Sequence, residues 1–163
     1  MSDNMHITDL SREFIIRQYR MNSENIRTLF KDMSIPDYLA LRDIMKYSQI
    51  DENGDDRIYL KDLSEKMKLT MPQMSKMAER LNDKGLVTWT HDQNGRSGTY
   101  VMITNAGKDL LRNKEEMFRD FFGRVIEKYG RDKMSDLLKE MAELEAVIIE
   151  EIGEMPDAGN YLE

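Results

Sequence analysis

The 163-residue chain contains no cysteine, two histidines, one tryptophan and three prolines. Without cysteine there is no disulfide, no thiolate nucleophile and no cysteine-based redox sensor. His6 and His91 alone cannot build a His-rich metal site, and no cofactor is called for. No apolar run approaches the roughly 18 to 20 residues that a membrane helix needs. The N-terminus lacks the basic-then-apolar layout of a signal peptide. A glycine-rich phosphate loop, a nucleophile elbow and a His–carboxylate motif are missing as well, and the many carboxylates are dispersed over helix surfaces, so an enzyme is not expected. These absences leave a soluble, cytoplasmic protein, with one compact domain plus helical extensions as the expectation from length.

What is present is concentrated between Arg57 and Gly107. Arg57-Ile58-Tyr59-Leu60 reads as extended, and Leu60 to Lys68 has a short amphipathic helix pattern. Thr70-Met71-Pro72 carries the start signals of a second helix, which runs to Lys84-Gly85. Two β-rich runs, Leu86 to Thr90 and Thr99 to Ile103, flank a polar tip, Asp92-Gln93-Asn94-Gly95-Arg96-Ser97-Gly98. Strand, helix, helix and hairpin in that order make a winged helix-turn-helix, a device that sets one helix in the DNA major groove and a hairpin beside the backbone. The fold class expected is therefore mainly α with a small β-hairpin, a winged-helix core flanked by N- and C-terminal dimerisation helices.

The charge distribution is consistent with that device. The net charge is −7, yet between Arg57 and Tyr100 eight basic side chains face five acidic ones. That segment carries +3 and the remainder −10. A surplus of +3 per chain is modest for a polyanion partner, and two copies would supply more.

Outside this segment the pattern is helical. Ile15, Tyr19, Ile26, Leu29, Phe30 and Met33 recur at helical spacings and predict one helix face over residues 8–33. Ser34-Ile35-Pro36-Asp37 punctuates the chain, with Pro suited to a first turn and Asp to its positive end. Tyr38, Leu41, Ile44 and Met45 continue as another helix. Thr104 reads as the N-cap of a long helix, which Tyr129-Gly130-Arg131-Asp132 breaks. The last helix carries Met134, Leu137, Leu138, Met141, Leu144, Ile148 and Ile152 in a near-heptad stripe. These helices exceed what a winged helix of about 70 residues needs for its core. A second copy is the economical cover for their apolar faces, self-packing being the alternative. The expected organisation is a single domain over 1–163, with the winged-helix lobe at 35–103, helical dimerisation segments at 8–33 and 104–154, and a frayed tail at 155–163.

The order and spacing of these pieces resemble the MarR (multiple-antibiotic-resistance regulator) family of transcription factors. Ile58 to Met67 resembles the family's first strand and the helix before the recognition helix, and Leu69 to Leu81 its recognition helix. Lys84-Gly85-Leu86-Val87 resembles the step into the wing, and Ile103-Thr104-Asn105-Ala106-Gly107 the Leu-Thr-x-x-Gly opening of the next helix. The motifs cover about 50 residues, and the flanking helix order agrees over nearly the whole chain. The resemblance implies a homodimeric regulator, more often a repressor, on a pseudo-palindromic double-stranded DNA operator. It also implies control by a small aromatic or anionic effector bound between the dimerisation helices and the DNA-binding lobe.

Candidate DNA contacts follow. Gln73 and Lys76 lie one turn apart; Gln pairs bidentately with adenine and Lys reaches guanine or phosphate. Thr70 and Ser75 suit phosphate, helped by the helix N-terminus, and Arg80 extends the basic face. The plainer alternative makes Thr70 only an N-cap and Gln73 a solvated side chain. Met74, Met77 and Leu81 face the core, and Trp89 and Tyr100 pack across strands. On the wing the candidates are His91, Asn94, Arg96 and Ser97, with an exposed neutral His91 equally consistent. The family's wing carries Asp-x-Arg six residues before its Leu-Thr pair. Gap-free alignment sets Gly95-Arg96-Ser97 there, so the acidic partner is missing. A one-residue shift restores Arg96 as the groove-reading residue with Asn94 in place of Asp, and Arg96 is the only cation of the tip.

A competing motif, Asp51 to Asp62, resembles a calcium-binding EF-hand loop. Asp56 stands where the sharp turn wants Gly and Asp62 where a bidentate Glu belongs, and no second loop pairs with it. A polar loop before the strand is the simpler reading. The other class of function open to this sequence is a winged helix that binds protein and has no DNA target.

Overall fold

A computed structural model describes residues 7–21, 28–50, 54, 56–91 and 98–155. The chain divides after Glu115 into two compact units. In the first, α1 (Ile7–Met21) is followed by a 3₁₀ turn (Thr28–Phe30), α2 (Ile35–Tyr47), β1 (Gln49–Ile50), β2 (Asp56–Tyr59), α3 (Leu60–Met67), α4 (Met71–Asp83), β3 (Val87–His91) and β4 (Thr99–Ile103). Helix α5 (Asn105–Tyr129) begins in this unit, and α6 (Arg131–Glu154) lies in the second. This is the mainly helical winged-helix architecture expected, with a larger sheet than the hairpin alone. Its four strands run antiparallel in the order β1-β2-β4-β3.

Local chemistry fixes each boundary. Ser34 caps α2 by accepting the Asp37 N–H at 3.2 Å. The short α3 ends on Lys68 in the left-handed region (φ 53°), and the Leu69 N–H reaches back to the Ser64 carbonyl at 2.9 Å, which makes the tight turn into α4. Gly85 (φ 68°) closes α4 in the backbone conformation that glycine adopts without strain. Thr104 caps α5, accepting the Gly107 N–H at 3.0 Å while its own hydroxyl donates to the Gly85 carbonyl at 2.7 Å.

The core of the first unit is formed where α2, α3 and α4 meet the sheet, around Leu41, Ile44, Leu63, Met74, Leu81, Val87 and Val101, all at most 1% exposed. Met74, Met77, Ala78 and Leu81, spaced i, i+3, i+4 and i+7, are the buried side of α4, as their periodicity predicts. The β3–β4 register pairs Val87 with Ile103 and His91 with Thr99, leaving residues 92–97 as the connecting segment, outside the described residues.

The N-terminal segment departs from the expected continuous helix. Thr28–Phe30 is 3₁₀, and Met33, only 2% exposed, belongs to the winged-helix core instead of an outer helix face. The physical reason lies on α5. Lys114, itself buried, donates to the Leu29 carbonyl at 3.2 Å and lies 3.4 Å from Asp32, while the Met33 N–H turns to the Phe30 carbonyl at 3.2 Å. The Leu29 carbonyl that a continuing α-helix would offer to residue 33 is instead held by the ammonium. Strand β1 was also not foreseen. Its two residues pair with β2, Gln49 opposite Arg57 and Ile50 opposite Asp56. Leu60, where the extended run and the helix pattern overlap in the sequence, opens α3. Of the EF-hand-like run, residues 51–53 and 55 lie outside the described residues, and its second half is β2 and the first turn of α3.

In the second unit, α6 begins after Gly130 (φ 107°), where a chain break was expected. No residue of α6 is buried, and its large apolar side chains from Leu137 to Ile152 are exposed. Phe121 and Phe122 make an edge-to-face contact at 5.0 Å. No helix among the described residues is long and apolar enough to cross a membrane.

Candidate nucleic-acid interface

With 3.6 residues per turn, the side of α4 opposite its buried residues is formed by Pro72, Lys76, Glu79 and Asp83, all exposed. Gln73, Arg80 and Lys84 border that face on one side and Ser75 on the other. The exposed candidates do not behave alike.

Thr70 and Gln73 close a complete capping box. The Gln73 N–H donates to the Thr70 hydroxyl at 3.4 Å, and the Gln73 Oε1 accepts from the Thr70 N–H at 2.9 Å and from its hydroxyl at 3.1 Å. A bidentate contact to adenine needs that same amide oxygen as an acceptor. In this geometry only the Gln73 amide N–H₂ is free to reach a base, and full reading of adenine requires the box to open. Gln73→Ala is accordingly expected to lower stability by about 0.5–1 kcal/mol with no DNA present. Urea melts of the two proteins check this; an unchanged midpoint would mean that the box contributes nothing.

Arg80, placed on the DNA face by the sequence, points its guanidinium at Asp37. Its Nε and Nη2 donate to Asp37 Oδ1 at 3.1 and 2.5 Å, and the Lys84 ammonium donates to Oδ2 at 2.9 Å. Asp37 is 1% exposed, whereas the two cations are each a little under half exposed. Burial alone would push the Asp37 carboxyl up; the hydrogen bonds and charges of Arg80 and Lys84 outweigh it and hold the carboxyl below its ordinary range. One carboxylate on the first turn of α2 thus ties down the C-terminal half of α4. Sequence reasoning assigned Asp37 only to the helix dipole. The signal was available: Asp37, Leu41 and Ile44 share the i, i+4, i+7 stripe that α2 buries, and a carboxylate on such a stripe needs cations.

Lys76 is the freer cation. Among the described residues it has no ion-pair partner and lies at the centre of the outward face. Glu79 beside it also has no ion-pair partner among the described residues, and this carboxylate, one of the five acidic groups in the segment's charge count, stands on the same outward face. Ser75 is half-buried and lines a groove of about 800 Å³ with Tyr59, Lys61, Met71, Trp89, His91 and Thr99, between the start of α4 and the hairpin. His91 shares a 2.7 Å hydrogen bond between its Nδ1 and the Thr99 hydroxyl, which ties the two strands together below the tip. Trp89 packs toward His91 at 6.3 Å, and Tyr100 stacks edge-on to Tyr59 at 6.2 Å with the Arg57 guanidinium 4.6 Å from its ring. Tyr100 thus packs across strands as expected, whereas the ring neighbour of Trp89, itself 39% exposed, is His91 on the same strand. Asn94, Arg96 and Ser97 lie outside the described residues.

No family model matches the chain, and no curated protein matches it in sequence. Solved structures do match in fold. A mutant of MarR from E. coli complexed with operator DNA superimposes with a TM-score of 0.66 at 15% identity, over 86% of this chain and 99% of that one. A MepR-like protein complexed with pseudoligands gives 0.63 at 19% identity, over 89% and 97%. FabT from Streptococcus pneumoniae, in complex with DNA, gives 0.61 at 15% identity, over 88% and 96%.

Proposed function

The fold is that of the MarR-type winged helix, and on that basis we propose that this chain is a sequence-specific double-stranded DNA-binding transcriptional regulator, a repressor acting as a homodimer on a pseudo-palindromic operator. The observation that carries the reading is α4 itself. It is a capped helix projecting from a tight α3–α4 turn, with an exposed face centred on Lys76 and a hairpin beside it. Two such helices, one per protomer, enter successive major grooves. Lys76 supplies a groove or phosphate contact, the helix N-terminus with Thr70 and Ser75 supplies phosphate contacts, and Arg96 reads the minor groove from the wing. The apolar α6 face, exposed in the protomer, supports pairing with a second copy.

A small aromatic or anionic effector completes the proposal. A groove of about 430 Å³ in the first unit is lined by Arg42, Lys46, Lys108 and Arg112 around Met45 and Leu111, with Glu115 at one side. Cations over an apolar floor suit an amphipathic anion.

The test is a gel shift with the intergenic DNA beside the gene against random duplex of equal length. Preferential binding by the dimer is expected, with affinity falling steeply in salt. One observation favours a second reading: Glu79 and Asp83 on the outward face would repel phosphate, as a protein-binding winged helix could. Equal and negligible binding of both duplexes at low salt would transfer the assignment to that reading.

A further inference from the structure

We propose that Asp37 is a specificity residue that acts at a distance, by withholding two recognition-helix cations from the DNA backbone. The inference rests on the DNA-binding reading for its purpose and on the structure for its mechanism. The carboxylate is fully buried at the start of α2, while Arg80 and Lys84 come from the last turn of α4 and the residue after it, 43 and 47 positions along the chain. Their stems reach from the edge of the outward face and remain nearly half exposed, so either head group would swing into solvent if released. Non-specific affinity for DNA scales with the number of phosphates neutralised. Base contacts specify and phosphate contacts only position. A helix that presented Lys76, Arg80 and Lys84 together would bind any sequence tightly. With two of the three clamped on Asp37, and Glu79 and Asp83 among the groups left outward, the exposed face has little attraction for a bare backbone. Discrimination then depends on the few groups that match base edges. No other described acidic side chain is within ion-pairing distance of Arg80 or Lys84.

The experiment compares the full chain with Asp37→Asn, which keeps the shape and one acceptor oxygen but removes the charge. Circular dichroism and melting serve as the fold control. Binding to a random duplex is titrated against salt. Asp37→Asn is expected to tighten binding to random DNA about tenfold near 0.1 M salt. It should steepen the log–log slope by roughly 1–2 for each protomer, since each added phosphate contact contributes about 0.9. Preference for the intergenic fragment over random duplex should fall by a similar factor. Lys84→Met placed on top of Asp37→Asn should return about half of the gain. A folded Asp37→Asn protein with unchanged random-DNA affinity and slope overturns the proposal. If Asp37→Asn does not fold, the unmutated chain still decides. The Arg80 Nε–H resonance should stay fixed when random duplex is added, and its displacement would put Arg80 on phosphate and overturn the proposal. Failure of the DNA-binding reading itself is separable, because elution from a heparin column reports the withheld charge without any duplex. Later elution of Asp37→Asn supports the clamp even if the chain binds no DNA, and unchanged elution overturns it.

Discussion

Gly107→Ala is expected to be among the most destabilising single substitutions in this chain, at about 3 kcal/mol or more. A Cβ at Gly107 would lie 2.2 Å from the Leu86 carbonyl oxygen and 2.8 Å from Ile103 Cγ1. A flexible side chain could move aside, but the Leu86 carbonyl is backbone and is already engaged, accepting the Thr104 N–H at 3.0 Å. Next to it the Thr104 hydroxyl donates to the Gly85 carbonyl. Pushing α5 away therefore breaks the contacts that join the exit of α4 to the start of α5, besides opening a gap beside buried Leu86 and Val87. Overpacked sites cost about 1–3 kcal/mol when side chains relax, and backbone clashes exceed that. Denaturant melts compare the variant with the unmodified chain; a change below about 1 kcal/mol would mean that α5 shifts freely against the α4–β3 step. Because this contact fixes how α4 leaves the core, the same substitution should also weaken the proposed DNA binding beyond its effect on the fraction folded.

Gly107 illustrates what the sequence made legible. Its need for glycine follows from a close approach that no local pattern shows; only the resemblance of Ile103 to Gly107 to a Leu-Thr-x-x-Gly helix opening pointed to the position. The caps at Thr70 and Thr104, the helix start within Ser34-Ile35-Pro36-Asp37, the break at Gly130 and the buried stripe of α4 were all readable, because short-range hydrogen bonds and 3.6-residue periodicity decide them. What was not readable depended on contacts between distant segments. The turn before Met33 is held by Lys114, more than eighty residues downstream. Strand β1 exists only because β2 offers it a partner.

The candidate site was legible as a surface but not in its hydrogen bonding. Thr70, Gln73, Ser75, Lys76 and Arg80 were found as a group, since all lie on or beside the face of α4 that does not carry Met74 and Leu81. Their states differ for reasons beyond their own helix or in competition with it. The backbone captures the Gln73 amide oxygen at the cap, a buried carboxylate from α2 captures Arg80, and Ser75 turns into the groove beside Trp89. Lys76 retains the simple role that its position suggests. A charge count over the sequence overstates the basic face for the same reason.

The proposed dimer should be abolished by placing two carboxylates on α6. Leu137, Met141, Leu144, Ile148 and Ile152 recur at spacings of three and four, and Val147 and Ile149 widen the apolar surface near the end of the helix. All are exposed in the protomer. Contiguous apolar patches of this extent are uncommon on isolated soluble chains. Each such side chain contributes about 1.5–3 kcal/mol when fully buried. Leu144→Asp with Ile148→Asp removes two of them and puts two charges where desolvation has no compensating partner. Light scattering at micromolar concentration is expected to show twice the 19.2 kDa chain mass for the unmodified protein and the single chain mass for the variant. Since neither residue is buried in the protomer, the first unit should keep its melting behaviour. DNA binding should respond strongly, because two linked recognition helices gain about 10²–10⁴ in avidity over one. A variant that remains dimeric would place the interface elsewhere, with the exposed face of α1 the next to be substituted. A monomeric variant that held the intergenic fragment as tightly as before would remove the two-half-site mechanism, leaving each protomer to act alone.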